Sequence, residues 1–234
     1  MPLPRSGSGT PNRAMKKDIT TRRLLACGAA AGPLFGIVII VGGALQPGYR
    51  PIRQSVSELA TGSTGWIQTT NFLVCGSLFV VFALGVRRAL RPRSAARSAA
   101  ALTGLSGVAL IASGLFTTDV AGQPQHTWNG TAHNAAGGIA FLSLPLLTFT
   151  WAICSARRRS WVWTVTSAAA GVTMLLLIQG LAVPEHRGLY QRLTIGVGWT
   201  WITAFALHLR RNTSTHKGEA THQKHPITRP FRQG

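Results

Sequence analysis

The chain has 234 residues, of which 46% are hydrophobic and only 12% charged, and it carries 26 glycines. That balance is too apolar and too charge-poor for an ordinary soluble domain. The net charge of +19 would suit nucleic acid, but no basic face interleaved with aromatic residues accompanies it, so nucleic-acid binding is not expected.

Six windows contain no Asp, Glu, Lys or Arg at all: 24–49, 59–86, 98–118, 120–156, 160–184 and 193–209. A hydrocarbon core about 30 Å thick is crossed by roughly 20 apolar residues in a helix. The chain therefore reads as all-α, a polytopic membrane protein forming a six-transmembrane-helix bundle. The expected spans are 24–45, 66–86, 99–116, 132–152, 161–183 and 193–209. A basic, disordered tail is expected over 1–23 and another over 210–234, with the membrane domain at 24–209. The last window is short, so Arg192 and Arg210 would reach for the headgroups from its two ends.

The first span begins behind paired arginines in "TTRRLLAC", where only three residues separate Arg23 from Cys27. No apolar region precedes that cysteine, so the segment reads as an uncleaved span and not as a lipidated leader; Met15 offers an alternative start. Gly28, Gly32 and Gly36 recur every four residues, and small residues at that spacing let another backbone approach closely in lipid. The face they form is expected to pack within the monomer or to support a homo-oligomer. Pro33 and Pro145 are expected to kink the first and fourth spans. Cys27, Cys75 and Cys154 match neither a disulfide framework nor a zinc spacing and read as small packing residues.

Twenty of the 24 Lys and Arg residues fall in the two tails, after the second span and after the fourth, leaving Arg50, Arg53, Arg187 and Arg192 in the other connections. The positive-inside rule then puts both termini in the cytoplasm of a cell (plasma) membrane protein. The basic tails are also expected to attract anionic lipid, at about 1 kcal/mol per basic residue near the surface. On the opposite face, Glu58, Asp119 and Glu185 supply one carboxylate to each connection. His126 and His133 follow Asp119, with Asn71 and Gln179 at similar depth. A polar rim at the outer face is the expectation, since ionisable groups at membrane depth face a wet cavity or a partner.

Three segments carry a resemblance: "RQSVSELATGSTGWIQTTNFLVCGSL", then "GLFTTD" with "GTAHNAAGGIAF", then "GLYQRLTIGVGWTWI". In this order, on one membrane face, they resemble a group of bacterial and archaeal membrane proteins, the domain-of-unknown-function family 998. The resemblance implies a six-span membrane protein and brings no established activity. Its motifs map onto Arg53, Ser57, Glu58, Asp119, His133, Gln191 and Arg192. Thr117 departs from the proline frequent in the family, which leaves the turn before Asp119 less constrained.

Three functions are open at this point. In the first, the rim is a structural lock or a partner-binding surface, with Arg53, Arg192, Gln191 and Glu185 among its ion pairs and binding groups and Arg53 or Arg192 matched to Glu58 or Asp119. A second makes Ser57, Glu58, Asp119 and His133 the catalytic groups of a hydrolase acting on lipid headgroups or lipid-linked substrates. Asp119 and His133 would then be ligands of a divalent metal, although Asp-x13-His across a loop is a weak metal spacing. The third is a small-solute transporter or sensor, against which spans three and six offer no charged relay.

Overall fold

In a computed structural model, residues 10–90, 93–120 and 127–222 are described. Among them the chain is entirely helical, with six long helices: α1 (Thr10–Leu45), α2 (Gly65–Ala89), α3 (Arg93–Leu115), α4 (Trp128–Arg157), α5 (Trp161–Gln179) and α6 (Arg187–His222). Short 3-10 turns at Val56–Ala60, Gly180–Ala182 and Pro184–His186 punctuate two of the connections. Five of the helices, α1 to α5, are long and apolar enough to cross a membrane.

A long helix occupies most of each of the six apolar windows, and the first and last helices extend well beyond theirs on the side of the termini. α1 starts at Thr10, well before residue 24, and α6 continues to His222, past residue 209. The added turns are rich in Lys, Arg and Thr, and backbone hydrogen bonding propagates at little cost once an apolar span has nucleated the helix. The expectations for tail residues 1–9 and 223–234, and for His126, fall outside the described residues. Pro33 and Pro145 both lie inside helices that continue through them.

Each helix packs against its neighbour in sequence, and α6 returns to α1, so the six form a closed ring. The centre is an aromatic column. Phe35 stacks on Trp199 at 4.6 Å, Phe79 meets Trp199 edge-on at 4.8 Å, and Trp151 and Trp201 close on Phe205 at 4.8 and 4.9 Å. In lipid such packing cannot draw on the hydrophobic effect between helices, so dense van der Waals contact and hydrogen bonds hold the ring. Ser106 and Ser143 share a 2.7 Å bond between α3 and α4, and Trp201 donates to Ser167 at 3.0 Å between α6 and α5.

Glycines set the closest approaches. A β-carbon on Gly76 would lie 2.7 Å from the Gly107 carbonyl oxygen, and one on Gly107 would lie 2.7 Å from that of Gly76, so α2 and α3 touch backbone to backbone. Along α1 the three glycines divide: Gly28 faces the Phe82 ring and Gly32 faces Thr203 and the Trp199 carbonyl of α6, whereas Gly36 meets nothing within 4 Å. Two of the three therefore pack within the monomer.

These contacts separate two kinds of glycine. Gly76→Val or Gly107→Val should lower stability by about 1–3 kcal/mol through overpacking, while Gly36→Ala should be neutral. Thermal midpoints of the purified variants in detergent test the contrast, and equal midpoints for Gly107→Val and wild type would refute it.

Candidate functional site

Six ring helices joined in chain order bring the α1–α2, α3–α4 and α5–α6 connections to one end of the bundle, opposite the termini. Arg53, Ser57, Glu58, Asp119, His133 and Gln191 collect there.

The α1–α2 connection folds around a capping box, in which a hydroxyl at the N-cap and a carboxylate three residues later satisfy each other's backbone N–H groups. Ser55 Oγ accepts from the Glu58 N–H at 3.3 Å, and Glu58 Oε1 accepts from the Ser55 N–H at 2.8 Å. Gln54 Nε2 donates to Glu58 Oε2 at 3.4 Å. Glu58 is buried, and these donors compensate a carboxylate that burial would otherwise penalise heavily.

α6 then clamps this connection. Arg192 Nη1 donates towards the carbonyls of Pro51, Gln54 and Gly188 at 2.6, 3.0 and 3.0 Å, and Nη2 donates to the Tyr49 hydroxyl. The guanidinium also lies 5.4 Å from the Tyr49 ring centroid. Tyr49 passes the chain of bonds on, donating to the Ser55 carbonyl at 2.7 Å. Gln191 Oε1 accepts from the Val56 N–H at 2.6 Å, and the Leu189 N–H, one of the helix's orphan donors, reaches the Ile52 carbonyl at 2.9 Å. A side chain on Gly188 would collide with the carbonyls of Pro51 and Gln54.

The α3–α4 connection is closed in a similar way. Asp119 Oδ1 accepts from Thr127 Oγ1 at 2.6 Å and Oδ2 from the Thr127 N–H at 3.1 Å, while Thr127 caps α4 through the Gly130 N–H at 2.9 Å. Gly130 is required there, since a β-carbon would collide with the Asp119 carboxylate. His133 Nδ1 lies 2.9 Å from the carbonyls of both Ser113 and Phe116. Carbonyls only accept, so Nδ1 carries the proton and ties α4 to the last turn of α3. The ring packs edge-on against Phe72 at 6.0 Å.

Between these braces opens a cleft of about 760 Å³, lined by Arg53, Ser57, Glu58, Asp119, His133, Arg187 and Gln191 among others. Beneath it lies a small chamber of about 60 Å³ walled by Phe72, Phe79, Leu144, Met174, Ile195 and Trp199. Ser57, His133, Gly137, Phe141 and Gln191 border both spaces.

The geometry corrects several expectations. Arg192 does tie connections together, but through carbonyls and Tyr49 instead of a carboxylate, and Glu58 is held by its own turn instead of by Arg53. Glu185 is exposed and does not line the cleft. Asn71 is buried and bonded to Gln68 and Cys75, away from the rim. Ser57 and His133 share two cavities but no hydrogen bond links them, so a nucleophile–base pair is not assembled. Among the described residues, no three His, Cys, Asp or Glu side chains converge as a metal set; Asp119 gives both carboxylate oxygens to Thr127, and His133 gives Nδ1 to the end of α3. Ser55 was legible as Ser-x-x-Glu; Thr127 and Arg187 carried no comparable signal.

A closed ring of apolar helices with one polar, hydrogen-bonded end defines a multi-pass membrane protein. The family described as protein of unknown function (DUF998) matches residues 29–208, and the chain belongs to it. No curated protein and no solved structure was found to match.

Two predictions follow the clamp. Arg192→Ala should cost at least about 2 kcal/mol, the scale of lost hydrogen bonds to a charged group, and Arg192→Lys should not restore it because one ammonium cannot span these acceptors. Arg53→Ala should stay within about 0.5 kcal/mol; equal losses at both arginines would refute the clamp. Burial raises the Tyr49 hydroxyl above its ordinary value of 10.0 despite the opposing pull of Arg192. A raised folded-state value means stability is complete below about pH 10 and declines as pH climbs through the folded value. The Tyr49→Phe variant should lack that limb of the stability profile.

Proposed function

We propose that the protein is a six-span plasma-membrane binding protein, with α6 as the sixth span, both termini cytoplasmic, and the cleft open to the outer face as a ligand site. The braces at that end are its scaffold: structural hydrogen bonds hold three connections in place so that a cavity persists between them. The observation that carries this reading is the cleft itself. At about 760 Å³ it falls within the range of small-molecule sites.

The orientation rests on charge. The connections at the cleft end hold four arginines, while twenty Lys and Arg residues belong to the other side. The sixth span rests on the 193–209 window and on the place of α6 in the ring between α5 and α1. Binding is preferred to hydrolysis because Asp119 and Glu58 already accept from protein donors, His133 has Nδ1 committed to the end of α3, and Ser57 has no base bonded to it.

Thiol access tests orientation and cleft together. In a background lacking Cys27, Cys75 and Cys154, a Ser63→Cys variant in intact cells should react with a charged, membrane-impermeant reagent, and Arg157→Cys should be protected. Gly138→Cys, inside the cleft, should react, more slowly than Ser63→Cys. Protection of Gly138→Cys equal to that of Arg157→Cys would sink the proposal.

A further inference from the structure

We propose that the ligand of this cleft is an anionic amphiphile, its phosphate or carboxylate taken by Arg53 and Arg187 and its apolar end seated in the chamber below. The inference rests on the reading of the cleft as an outer-face ligand site and narrows it to a chemical class.

The imbalance of hydrogen-bonding capacity selects the charge. Both carboxylates that line the cleft already accept from protein donors, Glu58 from Ser55 and Gln54, and Asp119 from Thr127. The cationic groups retain donors. Arg53 is exposed and its guanidinium makes no hydrogen bond among the described residues, and the Arg187 guanidinium uses only Nε, at 3.3 Å from the Leu181 carbonyl, leaving both terminal nitrogens. Ser57 and Asn134, also in the lining, add a hydroxyl and an amide. A site with surplus donors fixed on two guanidinium groups is matched by a multi-oxygen anion, for which arginine's fork geometry is suited.

The floor selects the apolar end. The chamber holds about 60 Å³, and its lining is mainly aromatic and aliphatic; of the polar groups that border it, the hydroxyls of Ser106, Ser113 and Thr194 donate to carbonyls of their own helices. A short alkyl end would fill the apolar part of this space. Gly137 makes the passage: it borders both spaces, and a β-carbon on it would meet nothing within 4 Å. About one turn further along α4, Phe141 and Leu142 line one side of the cleft with Ile178 of α5, and Leu142 is exposed on the bundle surface. The rest of an alkyl chain can lie along that side. An amphiphile could therefore arrive laterally from the outer leaflet or from water.

The test uses the full chain in nanodiscs of zwitterionic lipid, with octyl phosphate, inorganic phosphate and octanol as probes in calorimetry. Octyl phosphate should bind more tightly than either of the others. The double substitution Arg53→Gln and Arg187→Gln should weaken it by at least about tenfold, the scale of one lost charge-assisted hydrogen bond. Gly137→Leu should reduce octyl phosphate to the affinity of inorganic phosphate while leaving the latter unchanged, and Gly137→Val should fall between; wild-type thermal midpoints certify that the variants fold. Equal affinity of octyl and inorganic phosphate, or no effect of the arginine pair, would overturn the proposal. Including an anionic lysophospholipid in the nanodisc separates the sources: its competition with octyl phosphate marks a leaflet lipid, and its failure to compete marks a soluble amphiphile. Octyl phosphate that does not bind to a protein whose Gly138→Cys thiol is reactive refutes the ligand class alone; a protected thiol refutes the cleft reading beneath it.

Discussion

The guanidinium of Arg192 holds the connection end of this bundle together, because it gathers backbone carbonyls from two parts of the chain about 140 residues apart in sequence. Carbonyl oxygens in a connection between membrane helices have few partners once water is scarce, and an unsatisfied one is expensive. One planar cation meets Pro51, Gln54 and Gly188 and passes a further bond to Tyr49, which reaches Ser55. The capping box that orients Glu58 is built on that same backbone. Without the cation, the register of this connection against α6 would rest on the Gln191–Val56 and Leu189–Ile52 bonds alone.

Asp119 and His133 play the matching part at the α3–α4 connection, each on helix-end atoms. The two connections use the same device, a polar side chain placed where a helix leaves its own N–H or C=O groups unpaired. A membrane protein's loops are thereby made rigid without a hydrophobic core of their own, and rigidity at the mouth is what a binding site of fixed shape requires.

How much of this could be read from the chain depends on the range of the interactions concerned. The helices were legible because absence of charge over some twenty residues is a local property; the capping box of Ser55 and Glu58 is equally local, spanning four residues, but was passed over in favour of a rim role for Glu58. Arg192 was singled out, but its partners were misjudged: a carboxylate seemed the natural complement, whereas carbonyls brought by the ring closure took that place. The division of Gly28, Gly32 and Gly36 between monomer packing and open space depends on the rotation of α1 against α6, which periodicity alone leaves open. The chamber under His133 was invisible for the same reason, since it arises where Gly137 turns inward among residues of five other helices.

α5 differs from its neighbours in one respect. It buries only Ser167, Gly171 and Met174, and its contact with α6 is the slightest between successive helices. Local stability scales with such buried contact, so the ring has one weak stave beside the helix that carries the Arg192 clamp. Outward tilting of α5 would enlarge the cleft on the bilayer side while the Arg192 network stayed intact. The fold thus separates the helices that keep the cleft's shape from the one whose movement would widen it.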